Sequence, residues 1–553
     1  MPDRRKAIWA QASRISLALL AGGLQALSIA TPWSGEPQAG LQLLSLTLLA
    51  SVLTRPAWPG TTSPSAPAAS AAMLGWLYAL AWLAGTFWWM FIAMHRYGGL
   101  PAPFAVLAVL ALAGTLALYA AAACALYGHL IRRLGQGRPA VHAFLFAALW
   151  LLAELARGRW FTGFGWGGPG YAHVEGPLAA YAPWIGVYGI TAVTAWLAMM
   201  LASTGWQLWP ALRGRSGAER AGALKLATKA ALAVVLVMYL PSLQERWVPL
   251  ISASSGTLRI ALLQGNIPQD EKFQPGSGVA LSLRWYGEQL MQAPQDADLV
   301  VAPETALPLL PQDLPAGYWP RLEALYARTG TSAALIGLPL GNFREGYTNS
   351  VIGLAPGQQP YRYDKHHLVP FGEFIPLGFR WFTAMMQIPL GDFNRGELNQ
   401  PSFAWLGQRL ALNICYEDLF GEELGARFAD VQTAPTVFVN VSNIAWFGDT
   451  VAVAQHLHIS RMRALEFARP MVRATNTGAT AWINHQGQVR AMLAPHTRGV
   501  LTVEVEGRTG LTPYARWVAA FGLGPLWLLS LLVLSWAVWR GRSRPTPTAG
   551  AEP

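Results

Sequence analysis

The chain has 553 residues, of which 53% are hydrophobic, only 12% are charged and 25 are tryptophan. That is too long for one ordinary domain and too apolar for an enzyme soluble throughout, so part of it belongs in a bilayer. The formal net charge of +11 suggests nucleic acid, but the basic residues alternate between loops instead of forming one patch, which excludes that partner.

In chain order, eight apolar runs reach or approach the roughly 17 to 25 residues a helix needs to cross the hydrocarbon core with its amides satisfied internally. They are Ala7 to Ala30, Ala39 to Thr54, Ala71 to Met94, Pro103 to Tyr127, Ala140 to Ala156, Pro183 to Ser203, Leu226 to Leu243 and Trp517 to Trp539, the second and fifth being short. The basic start Met1 to Lys6 looks like that of a secretory signal. The apolar part that follows is longer than a signal core and a second run comes close behind, so it reads as a retained anchor. Arg4, Arg5 and Lys6, then Arg132, Arg133 and Arg138, then Arg213, Arg215, Arg220, Lys225 and Lys229, and finally Arg540, Arg542 and Arg544 occupy alternate loops. By the positive-inside rule both termini are cytoplasmic and the long segment between runs seven and eight faces outward, although Arg157 and Arg159 fall on the wrong side. In a bacterium with two membranes that places the segment in the periplasm and the chain in the inner membrane.

The expected domains are a membrane part at 1–245, an outward domain at 257–508, a last span at 516–540 and a disordered cytoplasmic tail at 541–553. Thr54 to Ala69 reads as a cytoplasmic loop. In the outward domain, short apolar strands alternate with helical patterns. Strands are expected at Leu258 to Leu263, Asp298 to Ala302, Ser332 to Gly337, Thr348 to Leu354, Leu410 to Cys415, Thr436 to Val441, Met471 to Ala474, Ala479 to Asn484 and Val500 to Val505. Helices are expected near Val279 to Met291, Trp319 to Thr329, Phe420 to Phe428 and Val451 to Phe467. This is a layered α/β sandwich.

Only two cysteines occur. Cys415 ends an apolar strand just before Tyr416-Glu417-Asp418, where a sharp turn exposes a nucleophile and leaves following amides free for an oxyanion. A thiol with an ordinary pKa of about 8.5 needs a base; equally, a lone cysteine is often a buried packing residue. Glu304 ends a strand between prolines, as a general base or as a solvated loop acid. Lys365 is an oxyanion cation or a surface charge, and Glu373, among aromatics, calls for a partner.

Together these signals form one pattern. Glu304, Lys365 and Cys415, in that order and context, resemble the Glu-Lys-Cys triad of the nitrilase superfamily. With eight spans arranged as seven, domain and one, the chain resembles the bacterial apolipoprotein N-acyltransferase family. Blocks at Gln264 to Gln269, Lys365 to Pro376, Cys415 to Glu417, Ala445 to Gly448, Arg461 to Glu466, Arg469-Pro470, Thr475-Asn476 and Trp160 to Gly165 carry that resemblance. It implies an α-β-β-α nitrilase sandwich joined to a multi-pass helical domain. It also implies a phospholipid acyl donor, a thioester on Cys415 and a diacylated apolipoprotein whose N-terminal amine receives the chain. Glu304 would be the base, Lys365 and the Tyr416 amide would hold the oxyanion, and Glu373, Tyr416, Glu417 and Trp446 would support them. No cofactor or metal is implied. Two positions depart from the family's blocks: Ile444 stands where an acid is common, and Phe273 where a tryptophan is common.

The apolar residues of Phe371 to Phe393, among them Phe374, Trp381, Phe382, Met385 and Leu390, read as membrane contact or as core. Gly165 to Gly170 fits a dinucleotide fingerprint but follows no strand. His366-His367 and His456-x-His458 lack zinc-type companions. Glu154, inside span five, reads as a structural partner of Arg157. The competing enzyme is a membrane-tethered nitrilase-like amidase, in which water resolves the thioester; a polytopic scaffold with an inert outer domain is the non-catalytic alternative.

Overall fold

A computed structural model describes residues 2–54, 68–134, 139–212, 217–239, 252–292, 297–328, 332–376, 378 and 392–542. Seven helices come first: α1 (Pro2–Ile29), α2 (Ala39–Thr54), α3 (Ala68–Phe87), α4 (Ala102–Leu134), α5 (Pro139–Arg159), α6 (Ala182–Leu212) and α7 (Gly217–Tyr239). Among the described residues six helical stretches are long and apolar enough to cross a membrane: Ile8–Ile29, Ala68–Phe87, Ala102–Leu134, Pro139–Thr162, Pro177–Trp206 and Gly524–Arg542. The short second run is a helix of 16 residues. The seventh run is helical as far as Tyr239, and its remainder lies outside the described residues. So do nearly all of the Thr54 to Ala69 loop and the tail beyond Arg542.

Two runs depart from their expected shape. The third is helical only to Phe87; after Trp88 and Trp89 a short turn continues as a wider, π-type turn at Ala93–Tyr97. The break lets Trp89 turn its ring onto Trp166 and Phe447, with centroids 5.3 and 4.2 Å away. The sixth is broken at Gly186, whose φ of 65° suits glycine and where a Cβ would strike the Tyr514 ring. Within α5, Glu154 and Arg157 form the expected ion pair at 2.7 Å, and Arg157 also donates to the carbonyls of Phe164 and Trp166, fixing the loop that follows.

The domain beyond residue 252 contains α8 (Ala280–Met291), α9 (Tyr318–Glu323) and α10 (Ala452–Phe467), then α11 (Pro513–Phe521) and α12 (Gly524–Arg542). Its strands are β1 (Ala253–Gln264), β2 (Leu299–Val301), β3 (Ala333–Asn342), β4 (Gly346–Leu354), β5 (Tyr361–Asp364), β6 (Phe403–Trp405), β7 (Gln408–Ile414), β8 (Val437–Ser442), β9 (Met471–Thr475), β10 (Ala481–Ile483), β11 (Val489–Met492) and β12 (Gly499–Thr509). They build two six-stranded sheets, ordered β12-β1-β2-β3-β4-β5 and β11-β10-β9-β8-β7-β6. At the centre of each run parallel strands, β1-β2-β3 and β7-β8-β9, flanked by antiparallel ones.

Period-two alternation divides the residues between layers. Leu258, Ile260 and Leu262 face the second sheet, meeting Leu410, Leu412, Val437 and Val439. Ala261 and Leu263 face the other way, onto Tyr286 and Leu290 of α8 and Leu322 of α9. The second sheet is covered by α10, whose core is continuous with that of the membrane helices. The result is the expected α-β-β-α sandwich, with one helix layer shared with the helical domain.

That shared layer is polar yet buried, so every polar side chain needs a partner. Gln455 Oε1 accepts the indole N–H groups of Trp89 and Trp166 at 3.0 and 2.8 Å. Glu466 accepts Arg463 at 3.0 Å and, because α6 breaks at Gly186, the freed Val187 amide at 2.7 Å. His458 contacts the Gly35 carbonyl at 2.8 Å, and Arg461 pairs with Glu175 at 2.6 Å. Gln455→Leu would strand two buried indole donors, each costing about 1–3 kcal/mol. Thermal unfolding in detergent is expected to show a Tm several degrees lower for this variant, while Gln455→Glu, which keeps an acceptor, recovers most of the loss.

Candidate active site

Cys415 is the first residue after β7 and opens a 3₁₀ turn, Cys415–Leu419. Its φ is +57°, left-handed, a conformation that costs a non-glycine residue free energy and persists only where the surroundings impose it. The imposing groups are identifiable. Asn440 Nδ2 donates to the Cys415 carbonyl at 2.8 Å, and His456 Nε2 lies 3.2 Å from it. His456 in turn contacts Asp418 at 3.0 Å, and Arg473 joins both at 3.3 Å and 3.1 Å. Cys415 itself stays partly accessible.

Glu304 follows β2 by way of Pro303, and Lys365 follows β5, its amide bonded to the Asn349 carbonyl of β4 at 2.8 Å. Lys365 Nζ lies 3.3 Å from Glu304 Oε1 and 2.9 Å from Glu373 Oε1. Asn349 Nδ2 donates to the same two oxygens, both at 2.7 Å. The remaining oxygens are also held: Asn443 N donates to Glu304 Oε2 at 2.8 Å, and Val369 N to Glu373 Oε2 at 2.8 Å. All three charged groups are buried.

Burial by itself raises a carboxylate's pKa. At Glu304 that effect is outweighed by Lys365, Asn349, Lys272 and the Asn443 amide together, which hold the carboxyl below its ordinary range. Lys365 is lowered by burial but raised further by Glu304 and Glu373, so it stays charged. Burial, reinforced by the Glu304 charge, pushes the Cys415 thiol up to about 12, with Lys365 opposing. At neutral pH Cys415 therefore rests as a thiol, Glu304 as a carboxylate and Lys365 as an ammonium. The sulfur is close enough to be influenced by Glu304, Lys365 and Glu373.

The supporting residues divide. Glu373 belongs to the charged group. Tyr416 donates its hydroxyl to the Leu368 carbonyl at 2.8 Å and lays its ring 5.8 Å from Lys365 Nζ. Glu417 is a clamp: one oxygen accepts Ile414 N and Tyr363 Oη at 2.6 and 2.8 Å, the other the amides of His366 and His367 at 2.7 and 3.0 Å. Trp446 packs edge-to-face on Tyr97 of the helical domain, 5.8 Å away. The histidines set aside in the sequence are bonded to protein groups: His366 to the Gly396 carbonyl, His367 to Glu423, His458 to Gly35.

Asn349, Asn443 and Lys272 were missed. Asn349 is a buried amide inside an otherwise apolar strand, a signal legible in principle; the other two act through a main-chain amide and a main-chain carbonyl, which leave no sequence mark. Ile444, in place of the expected acid, is buried in the core, and the amide beside it holds Glu304. The departure costs the site no contact seen here. Phe273 is 38% exposed. Of the Phe371 to Phe393 segment, 377 and 379–391 lie outside the described residues; Phe374 faces Arg395 at 5.0 Å.

A thiol, a carboxylate and an ammonium lie together at the strand ends of an α-β-β-α sandwich carried on apolar helices, and the fold and family match are of carbon–nitrogen hydrolase type. Residues 259–514 match the family model described as carbon-nitrogen hydrolase, and residues 21–200 match that described as the apolipoprotein N-acyltransferase N-terminal domain. The apolipoprotein N-acyltransferase of Verminephrobacter eiseniae is 56% identical over 95% of this chain and 96% of its own length. That of Ralstonia nicotianae is 45% identical over 83% and 84%, and that of Bordetella bronchiseptica 41% over 95% and 97%. The chain belongs to the apolipoprotein N-acyltransferase family.

Glu417→Ala would leave four neutral donors around the turn unpaired, each costing about 1–3 kcal/mol where it stays buried. Expected are a clearly lower Tm in detergent and loss of Cys415 reactivity toward a thiol reagent, measured together on the purified variant.

Proposed function

We propose that the chain moves a fatty acyl group from a phospholipid, through a thioester on Cys415, to the N-terminal amine of a diacylglyceryl-cysteine lipoprotein. The observation that carries this reading is the buried Glu304–Lys365–Glu373 group beside a left-handed cysteine, on a domain whose helix layer is shared with apolar membrane-type helices. The names of the relatives agree with it.

In the first half-reaction the Cys415 sulfur attacks the ester carbonyl while Glu304 takes its proton. Lys365, with the Tyr416 amide, faces the oxyanion of the tetrahedral intermediate. As that intermediate collapses, Glu304 returns the proton to the departing alkoxide, giving a lysophospholipid and the acyl-enzyme. In the second half the lipoprotein amine attacks the thioester, Glu304 accepts the amine's proton, and the thiolate leaves and is reprotonated. Glu373 keeps Lys365 in place, Tyr416 walls the cation, and Glu417 holds the turn. Trp446, on the Tyr97 ring, lines the border between the domains. The scheme calls for no cofactor. It places the enzyme in the bacterial inner membrane with eight spans, both termini cytoplasmic and the catalytic domain periplasmic; the basic loops support that topology.

Mass spectrometry of the purified protein, given labelled phospholipid and then a diacylated lipopeptide, tests the scheme. Wild type is expected to gain one acyl mass on Cys415 and pass it to the peptide amine, while Cys415→Ala gains none. Release of free fatty acid instead would mark a hydrolase, and acylated peptide from Cys415→Ala would end the reading.

The pH dependence has a defined sign. Because Glu304 is held below its ordinary value of about 4.3, the stability its ionised form contributes is complete above that value and is lost as pH falls through the lower folded one. Acyl-enzyme formation should therefore persist through mildly acidic pH and fail only below about 4. A half-maximal rate near neutrality would contradict the assignment of Glu304.

A further inference from the structure

Lys272 is a buried cation with no part in either half-reaction. It sits on the loop after β1 and is 1% exposed, and its ammonium donates to the main-chain carbonyl of Glu304 at 3.2 Å. Lys365 approaches the carboxylate of the same residue from another strand. Among the described residues, Glu304 and Glu373 otherwise share one cation, Lys365, since both lie within 3.3 Å of its Nζ. Two carboxylates with one counter-charge in a dry site leave a net negative group, and such a group relieves itself by binding a proton. A proton resting on Glu304 would leave Cys415 without its base.

We propose that Lys272 is a positioning residue of this site: its ammonium makes a neutral quartet with Lys365, Glu304 and Glu373, and its bond to the Glu304 carbonyl anchors the main chain that aims the base. The assignment rests on the acyl-transfer reading given above. The anchored chain is a strained one, Thr305 having a φ of +49°. The charge acts in the required direction, because Lys272 helps to hold Glu304 low. Burial draws Lys272 itself down to about 8, with Glu304 opposing, so it is charged across the neutral range. The groups facing Glu304 are Lys365 from the end of β5, Glu373 from the loop beyond, the Cys415 thiol from the end of β7, and the neutral donors Asn349 and Asn443. On the loop of Lys272, Asp270 and Glu271 are exposed, and Asp270 faces Arg96 at 3.8 Å.

The test follows thioester formation by the full-length protein in detergent micelles with labelled phospholipid, from about pH 3 to about pH 9, for wild type, K272M, K272Q and K272R. In K272M and K272Q the acid limb is expected to move up by about one pH unit, with rates on that limb about tenfold lower. The rates should recover at higher pH, and half-saturation by phospholipid should not change. K272R, which keeps the charge, should keep the wild-type limb. K272Q retains a donor toward the carbonyl, so it carries the test if K272M does not fold. An unmoved limb in the uncharged variants, a uniform fall at every pH, or failure of both to fold would assign Lys272 a merely structural role and overturn the proposal. If wild type forms no thioester at any pH, the acyl-transfer reading fails by itself. The pH dependence of Cys415 alkylation, which needs no lipid, then reports on the same carboxylate.

Discussion

A lysine ammonium shut away from water is tolerable only when anionic partners replace its hydration, and Lys365 has two, at 3.3 and 2.9 Å. Those partners are themselves buried and need further donors, which Asn349 supplies to both and the amides of Asn443 and Val369 to one each. Each requirement draws in a different strand. The first sheet contributes the ends of β2 and β5 and the middle of β4, and the second contributes the end of β8. Satisfying one cation thus locks the two sheets into a single arrangement beside the end of β7, where the sulfur is.

The second sheet has a further constraint, because its covering helix cannot face water. Helix α10 is polar on both sides and buried on both. Toward the sheet it offers His456, which braces the Cys415 carbonyl; one residue earlier, toward the membrane helices, it offers Gln455, which gathers Trp89 and Trp166. Adjacent residues of one helix therefore touch the nucleophile's backbone and the helical domain. The acyl transfer proposed above, between two lipid substrates, needs the thiol at a fixed height relative to the hydrocarbon, and a shared helix sets that height more firmly than a tether.

Much of the site was readable from the chain because its chemistry sits at strand ends. An apolar run that stops at Cys415 and another that stops at Pro303-Glu304 are local features, and short apolar runs marked nine of the twelve described strands. Those overlooked, β5, β6 and β11, are short strands at sheet edges with exposed positions, whereas the equally short β2 is central and fully buried. The break after Phe87 was invisible because hydropathy continues smoothly through Trp88 and Trp89; only the partner rings on Trp166 and Phe447 explain why the chain turns there. Glu417, read as a companion of the nucleophile, is a clamp whose four donors come from two separate segments, 363–367 and Ile414.

By itself the sequence determined which residues could react and which stretches could enter a bilayer, since residue type and apolar run length are properties of the chain alone. Only the tertiary structure decided what state those residues are in. The low Glu304, the charged Lys365, the protonated thiol and the left-handed turn at Cys415 all arise from burial and from donors distant in the chain. Electrostatic energy in a dry interior depends on distances between groups, and a linear sequence does not specify those distances.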